Sequence, residues 1–195
     1  VPRWPLIIFA ITACFCMGSS AAYHLLQIHS PWLNELLSRL DYGGICFLIM
    51  GSSYPPIFYP FACKEVHGAR NFFLALITTT SMSAFIFCMC PIFATRACRP
   101  VRGFMFIILG LSAAAPMIYI GNYAPKEYID TNTSVLPWAL GGATYIGGAL
   151  IFVFRIPERY FPKKFDCIGS SHQIFHVCVV AGCAIHFNDA MKLFR

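Results

Sequence analysis

Six long apolar stretches, separated by short segments that hold nearly all of the charge, constrain the fold of this chain more than any other feature. Of its 195 residues, 58% are hydrophobic and only 11% are charged, whereas a soluble domain has about 25% charged residues. A helix needs about 20 apolar residues to cross the roughly 30 Å of hydrocarbon in a bilayer, and each stretch approaches or exceeds that length. The composition therefore indicates an integral, multi-pass membrane protein.

The apolar stretches predict an all-α membrane helix bundle that forms one transmembrane domain over residues 1–195. Unbroken hydrophobicity favours helices, because barrel strands alternate apolar and polar residues. Prolines inside the stretches predict kinks or helix ends, and the glycine pairs at 141–142 and 147–148 predict close helix contacts. The prolines concerned are Pro55, Pro56, Pro91 and Pro116. The six predicted helices span about 4–26, 41–61, 71–93, 101–119, 136–154 and 170–187.

The basic residues between these helices predict how the chain crosses the membrane. Lys and Arg favour the cytoplasmic side, and an inward first helix gives eight basic residues inside against three in the complete outer loops. The inner residues are Arg39, Arg96, Arg99, Arg102, Arg155, Arg159, Lys163 and Lys164, and the outer ones are Lys64, Arg70 and Lys126. The net charge of +6 is thus interpreted as a topology signal and a source of lipid-headgroup contact, and no nucleic-acid binding is expected.

Two histidines at the start of the last helix, His172 and His176, are four residues apart. Residues at this spacing lie on one face of a helix, so both imidazoles can reach one metal ion. In the predicted topology His24, near the inner end of the first helix, and Asp41, at the start of the second, lie in the same layer. Ser20 precedes His24 by one turn on the same face.

These residue types match the chemistry of a zinc site. Zinc binds imidazole nitrogen and carboxylate oxygen in a tetrahedral shell, and catalytic sites combine three protein ligands with a water. His24, His172 and His176 supply three nitrogens, while Asp41 is either a fourth ligand or a general base. Ser20 could orient the site or stabilise an oxyanion.

Each residue also has a simpler interpretation. The histidine pair is compatible with an interfacial pair satisfied by water, Asp41 with a charge that complements a helix N-terminus, and Ser20 with a small packing residue. The other histidines, His29, His67 and His186, are interpreted as hydrogen-bonding or headgroup-contacting residues.

Four sequence blocks resemble the progestin and adipoQ receptor family, which includes the adiponectin receptors, the plant heptahelical proteins and the haemolysin III proteins. The resemblance extends over essentially the whole chain, and the last block is the most specific. The blocks are SAAYHLLQIHS at 20–30, LDYGGICFLIMGSSYPPIFY at 40–59, GLSAAAP at 110–116, and RIPERYFPKKFD at 155–166 followed by SHQIFH at 171–176.

The resemblance implies a seven-helix fold with a cytosolic amino terminus, of which this chain, beginning at Val1 without a methionine, shows six helices and lacks the first. It implies a zinc ion near the cytosolic face, bound by His24, His172 and His176. It also implies that Asp41 acts through a water and that Ser20 matches the family serine. The expected location is the plasma membrane or an endomembrane.

Two classes of function follow from the resemblance. The first is a zinc-dependent hydrolase of a lipid amide such as ceramide, with membrane lipids or free fatty acids as ligands. The second is a receptor or sensor for an external protein or steroid, with a structural zinc and no turnover. A metal transporter is disfavoured, because the candidate ligands lie near one membrane face only.

Overall fold

The computed structural model describes residues 1–62, 66–123, 135–165 and 168–194, apart from the side chains at positions 94 and 96. Within these ranges the chain is helical and contains no β-strand, which confirms the predicted all-α bundle. Lys64, Lys126 and Arg195 lie outside the described residues. The helices are α1 (Trp4–Leu26), α2 (Pro31–Phe58), α3 (His67–Met89), α4 (Arg99–Ser112), α5 (Ala115–Tyr123), α6 (Val135–Phe154) and α7 (Ser171–Phe194), with 3₁₀ turns at Pro91–Ala94 and Arg96–Cys98.

Five segments of the described chain are long and apolar enough to span a membrane: α1, α3, α4 together with α5, α6 and α7. The remaining helix, α2, has 28 residues but is less apolar, because glycine, serine, tyrosine and proline fill its second half. Those small and polar residues are buried, and α2 contacts α1, α3, α4, α5 and α7. It is therefore the central helix of the bundle, packed against other helices where its neighbours face lipid.

Besides the predicted helix 101–119, which is divided into α4 and α5, three predicted helices have bounds that differ from the observed ones. The second helix begins at Pro31, ten residues before the predicted start at 41, because Ser30 caps it by accepting a hydrogen bond from the Leu33 N–H at 3.2 Å. The third spans 67–89 where 71–93 was predicted, because Pro91 ends it. The last continues to Phe194 and not to 187. Hydropathy locates the apolar part of a helix but misses polar turns that continue it.

The prolines act in three different ways. Pro91 follows the end of α3, and Pro116 lies in the first turn of α5, after a break that divides the predicted helix 101–119 into α4 and α5. Pro55 and Pro56, however, lie inside the last turn of α2, which continues to Phe58.

Close approaches at glycine fix the two helix pairs that carry the candidate ligands. At Gly44 of α2 an added Cβ would lie 2.9 Å from the Cα of Cys16 in α1. At Gly148 of α6 it would lie 2.6 Å from the Cβ of Cys178 in α7. Gly141, seven residues earlier, lies against His186 on the same face. The predicted close contacts are thus confirmed for one member of each glycine pair, whereas Gly142 and Gly147 have no such neighbour within 4 Å among the described residues.

Candidate metal centre

The structure brings together the three histidines that are separated by up to 152 positions in the sequence. His172 Nε2 lies 3.1 Å from His24 Nε2 and 3.0 Å from His176 Nε2. One ligand nitrogen from each ring can be chosen so that all three lie within 4.8 Å of one another. His24 is exposed, and the other two rings are partly buried. The predicted cluster is therefore present, formed by the end of α1 and the start of α7.

Local sequence explains why α7 begins where it presents two of these rings. Ser171 is fully buried at the first position of the helix. Its backbone N–H donates to Glu158 Oε2 at 2.9 Å, and its hydroxyl donates to Glu158 Oε1. The carboxylate thus satisfies a free N–H of the first turn and complements the positive end of the helix dipole. Glu158, in the segment between α6 and α7, therefore anchors the turn that carries His172.

Asp41 and Ser20 lie beside the histidine cluster, buried within the bundle. Each is 7% exposed. The Asp41 carboxylate is in electrostatic range of His24 and His176 and lies beside the Ser20 side chain. Ser20 Oγ nevertheless makes no hydrogen bond of acceptable geometry to any described residue. A buried hydroxyl without a hydrogen bond next to a carboxylate is the environment in which a water can bridge the two groups.

The arrangement fits a zinc ion by its donor set and spacing. Two nitrogens bound to one zinc at about 2.0–2.1 Å in a tetrahedron lie about 3.3–3.4 Å apart, close to the observed 3.0 and 3.1 Å. His172 Nε2 lies close to the Nε2 atoms of both His24 and His176, and a single proton on it can be donated to only one of them. A metal cation, by contrast, can be bound by the lone pairs of all three nitrogens. His24, His172 and His176 would hold the metal, and Asp41 lies in electrostatic range of His24 and His176.

An apolar cavity of about 320 Å³ adjoins the cluster and extends between α2, α4, α6 and α7. Asp41, His172 and His176 line one end, and His186 lines it ten residues further along α7. At about 1.5 Å per residue, ten residues correspond to about 15 Å, which is half of the roughly 30 Å hydrocarbon thickness of a bilayer. The cavity is therefore long enough for one acyl chain.

Two further polar residues line the metal end of the cavity and were not predicted as site residues. Arg102 is only 4% exposed, and its guanidinium lies 4.2 Å from the centre of the Tyr42 ring. One of its nitrogens donates to the carbonyls of Phe93 and Thr95, to the latter at 3.0 Å. Arg102 makes no ion pair within the described ranges. In the sequence it is one of several basic residues near a membrane face, so only its burial distinguishes it.

The remaining histidines do not join the cluster. His29 is exposed, and the ring of His67 lies 2.9 Å from the Ala62 carbonyl oxygen. His186 is buried and hydrogen-bonded to the Trp138 carbonyl at 3.0 Å. These hydrogen bonds confirm the predicted hydrogen-bonding or headgroup-contacting role for His67 and His186.

Sequence comparison identifies the family. Residues 1–187 match the family model described as Haemolysin-III related. The chain is 38% identical to heptahelical transmembrane protein ADIPOR3 of Oryza sativa subsp. japonica and to heptahelical transmembrane protein 4 of Arabidopsis thaliana, each over 98% of this chain and 47% and 49% of the relative. It is also 38% identical to the adiponectin receptor protein of Drosophila melanogaster, over 95% of this chain and 41% of that protein.

The chain spans about half the length of these curated relatives. The matches nevertheless extend over nearly all of it, and both histidine-bearing helices lie within the compared region. The chain therefore belongs to the haemolysin-III-related family of membrane proteins, in which it is similar to the heptahelical transmembrane proteins and the adiponectin receptor protein.

Proposed function

We propose that this membrane protein binds zinc through His24, His172 and His176 and hydrolyses a lipid amide of the ceramide type. The observation that carries the proposal is the position of a three-nitrogen site with an adjacent buried carboxylate at the end of an apolar cavity. Three histidines leave one coordination position open, as in catalytic zinc sites. A structural site would normally be closed by protein ligands.

The catalytic roles follow from the positions of the side chains. Zinc, when bound, would polarise the amide carbonyl and lower the pKa of a water. Asp41 then accepts the proton of the attacking water as general base and returns it to the leaving nitrogen. Ser20, beside Asp41 and without another hydrogen bond of acceptable geometry in the described structure, orients that water or donates to the developing oxyanion.

Arg102 and Tyr42 orient the polar part of the lipid. Both line the cavity next to Asp41, and the guanidinium lies over the Tyr42 ring. A buried guanidinium without an acidic partner in the described chain favours oxygen-rich groups such as a hydroxyl or the carboxylate of a released fatty acid. The acyl chain then lies along the apolar length of the cavity.

The proposal is tested with the purified full-length protein in lipid nanodiscs, by measuring zinc content and release of fatty acid from ceramide. We expect His176→Ala to lose zinc and turnover together. Asp41→Asn should retain most of the zinc and lose about 10²–10⁴-fold in turnover, the usual contribution of a general base. His29→Ala is the matched control, because this exposed histidine lies outside the cluster, and both readouts should stay at wild-type values.

Turnover that persists in His176→Ala after zinc is lost would refute the hydrolase proposal. Turnover that is unchanged in Asp41→Asn would refute the general-base role while leaving the metal site intact. A wild-type protein that binds zinc and releases no fatty acid would favour the second candidate function.

That second candidate is a receptor in which zinc is structural and an external protein or steroid shifts the helices. One observation favours it, because the Asp41 carboxylate lies in electrostatic range of His24 and His176, so a shift of the helices could bring it to the metal as a fourth ligand. The name of the Drosophila relative, adiponectin receptor protein, supports the same class for that protein. Ligand-dependent signalling that survives Asp41→Asn would indicate sensing without catalysis.

The expected orientation places the metal centre at the cytosolic face. Arg99, Arg155, Arg159 and the two lysines at 163 and 164 all lie at the end of the bundle that holds the histidines, and basic residues favour that side. Cysteine labelling from either side of sealed vesicles tests this orientation. The ten native cysteines are first replaced by serine, and Lys163→Cys then reports the metal end and Gly68→Cys the opposite end.

A further inference from the structure

The end of the cavity opposite the metal centre contains polar atoms that the proposed chemistry does not use. His186 and Tyr145 both line the cavity, and His186 lies ten residues beyond His176 along α7. His186 Nδ1 and Tyr145 Oη are buried and make no hydrogen bond of acceptable geometry to any residue in the described part of the chain. Such atoms are costly in an apolar environment unless a partner satisfies them.

The hydrogen bond on the other ring nitrogen determines what His186 can bind. Its Nε2 lies 3.0 Å from the Trp138 carbonyl oxygen, which only accepts, so Nε2 carries the proton. In the neutral ring Nδ1 then has a lone pair and accepts a hydrogen bond. His186 Nδ1 therefore needs a ligand that donates a hydrogen bond. An anion or a metal-bound carboxylate, which only accepts, would not satisfy it.

The surroundings hold the imidazole in this position. The edge with Cδ2 and Nε2 lies against Gly141, where any Cβ would collide with it. The Trp138 ring is parallel to the imidazole, with an interplanar angle of 4°, and the Tyr145 ring packs edge-on at 5.3 Å between centroids. Nδ1, on the opposite edge of the ring, thus has a fixed direction.

Tyr145 supplies the second polar atom of the same region. Its hydroxyl lies beside the Cys183 thiol, a weak partner that leaves both donor and acceptor capacity available. A lone-pair acceptor and a phenolic hydroxyl at the end of an apolar cavity together match an aliphatic hydroxyl group, which both donates and accepts.

We infer that His186 and Tyr145 form a hydroxyl-binding site that recognises a hydroxylated acyl chain whose head group lies at the metal centre. The separation of His186 from His176, about 15 Å along the helix, is the length of one acyl chain in a bilayer leaflet. The orientation of the chain rests on the proposed function, whereas the hydroxyl preference rests only on the two buried polar atoms. Chains without a hydroxyl fit the cavity but leave those atoms without a partner.

The test compares binding of matched fatty acids that differ only in a terminal hydroxyl, in a series from about 10 to about 16 carbons that brackets the ~15 Å distance. The full-length protein in nanodiscs is used, with competition against a labelled fatty acid as the readout. We expect the wild type to bind the hydroxylated member about fivefold more tightly at the best length. In His186→Phe the preference should reverse, because the hydroxyl then meets an apolar wall.

Two smaller changes keep the test valid if His186→Phe fails to fold. Tyr145→Phe should reduce the preference without altering the helix contacts. Gly141→Ala should abolish it by displacing the imidazole, whereas Gly147→Ala, on the same helix with no described neighbour within 4 Å of an added Cβ, should leave it unchanged. Zinc content and melting temperature show whether each variant is folded.

Equal binding of both members at every length in the wild type would overturn the inference, as would a preference that survives in His186→Phe. A wild-type preference for the unsubstituted chain would indicate that the site holds only water, and would overturn it too. Ceramide hydrolysis without a hydroxyl preference refutes this inference alone. A preference without hydrolysis supports the inference and refutes the hydrolase proposal. Failure of both chains to bind refutes this inference, whereas the hydrolase proposal is decided by the turnover assay alone.

Discussion

Removing the Glu158 carboxylate should weaken metal binding although Glu158 touches no metal ligand. Its two oxygens accept hydrogen bonds from the backbone N–H and hydroxyl of Ser171, immediately before His172. Loss of an N-terminal cap costs about 0.5–2 kcal/mol, and loss of a charge at the helix N-terminus about 0.3–1 kcal/mol. Because Glu158 is partly exposed, we take about 1 kcal/mol as the combined effect, since solvent screens such charges.

That free energy appears in the metal affinity only if the first turn of α7 becomes disordered without zinc. Under that condition, about 1 kcal/mol raises the zinc Kd about fivefold. We expect Glu158→Ala to show this increase and Glu158→Gln, which keeps an acceptor oxygen, to show about half of the free-energy effect. Competition with a chromophoric chelator at pH 7 measures the Kd. Glu35→Ala is the matched control, because Glu35 is exposed and its ion pair with Arg39 lies on α2.

The pH dependence of the effect has a definite sign. Burial alone would raise the pKa of Glu158, but the hydrogen bonds from Ser171 outweigh it and lower the pKa from its ordinary value of 4.5. The stabilisation by the carboxylate is therefore complete above pH 4.5 and is lost as the pH falls through the lower, folded-state value. The ratio of the zinc Kd values of Glu158→Gln and wild type should therefore stay constant above pH 4.5. A Kd unchanged in Glu158→Ala, or a larger change in Glu35→Ala, would refute the reasoning.

Three further expectations concern stability and the cavity. Zinc at 100 times its Kd should stabilise the wild type by about 2.7 kcal/mol, measured by thermal unfolding, and should leave His172→Ala unaffected. Gly148→Ala should destabilise the bundle, because its Cβ would lie 2.6 Å from that of Cys178, whereas Gly147→Ala should not; a melting curve of each variant decides. Arg102→Met should impair lipid turnover more than zinc content, since Arg102 lines the cavity and is not among the metal ligands; equal loss of both would contradict this.

Hydropathy and helical spacing were sufficient to predict the membrane bundle and the three-histidine cluster. The spacing of His172 and His176 restricts both rings to one face of a helix, and the alternation of inner and outer loops places His24 at the same membrane face. Both predictions follow from the helical repeat and from the alternating direction in which successive helices cross the membrane. They therefore need no knowledge of how the helices pack. Asp41 and Ser20 lie beside each other in the bundle, with Asp41 in electrostatic range of the cluster, whereas their roles stay predictions.

The cavity and its second polar end could not be predicted in this way. In the sequence Arg102 cannot be distinguished from an exposed loop arginine, but in the structure it is buried. Likewise His186 resembles an interfacial histidine in the sequence, but in the structure its ring packs against Gly141. Glu158 was also missed, because its role depends on the path of the chain between α6 and α7. In each case the role depends on a contact between separate segments of the fold. The spacing of residues along the sequence does not predict such contacts.

Two of the metal ligands lie at the start of α7, where positive charge opposes the binding of a cation. The N-terminus of a helix carries a partial positive charge, and Arg99, which stacks on Phe152 at 3.9 Å, adds another positive charge near His172. Both disfavour a divalent cation. Glu158 is in electrostatic range of His172, and Asp41 is in electrostatic range of His24 and His176. Glu158 offsets the dipole and Asp41 offsets the metal charge, so removal of both acids should weaken zinc binding more than the sum of the single changes if they act on the same positive site.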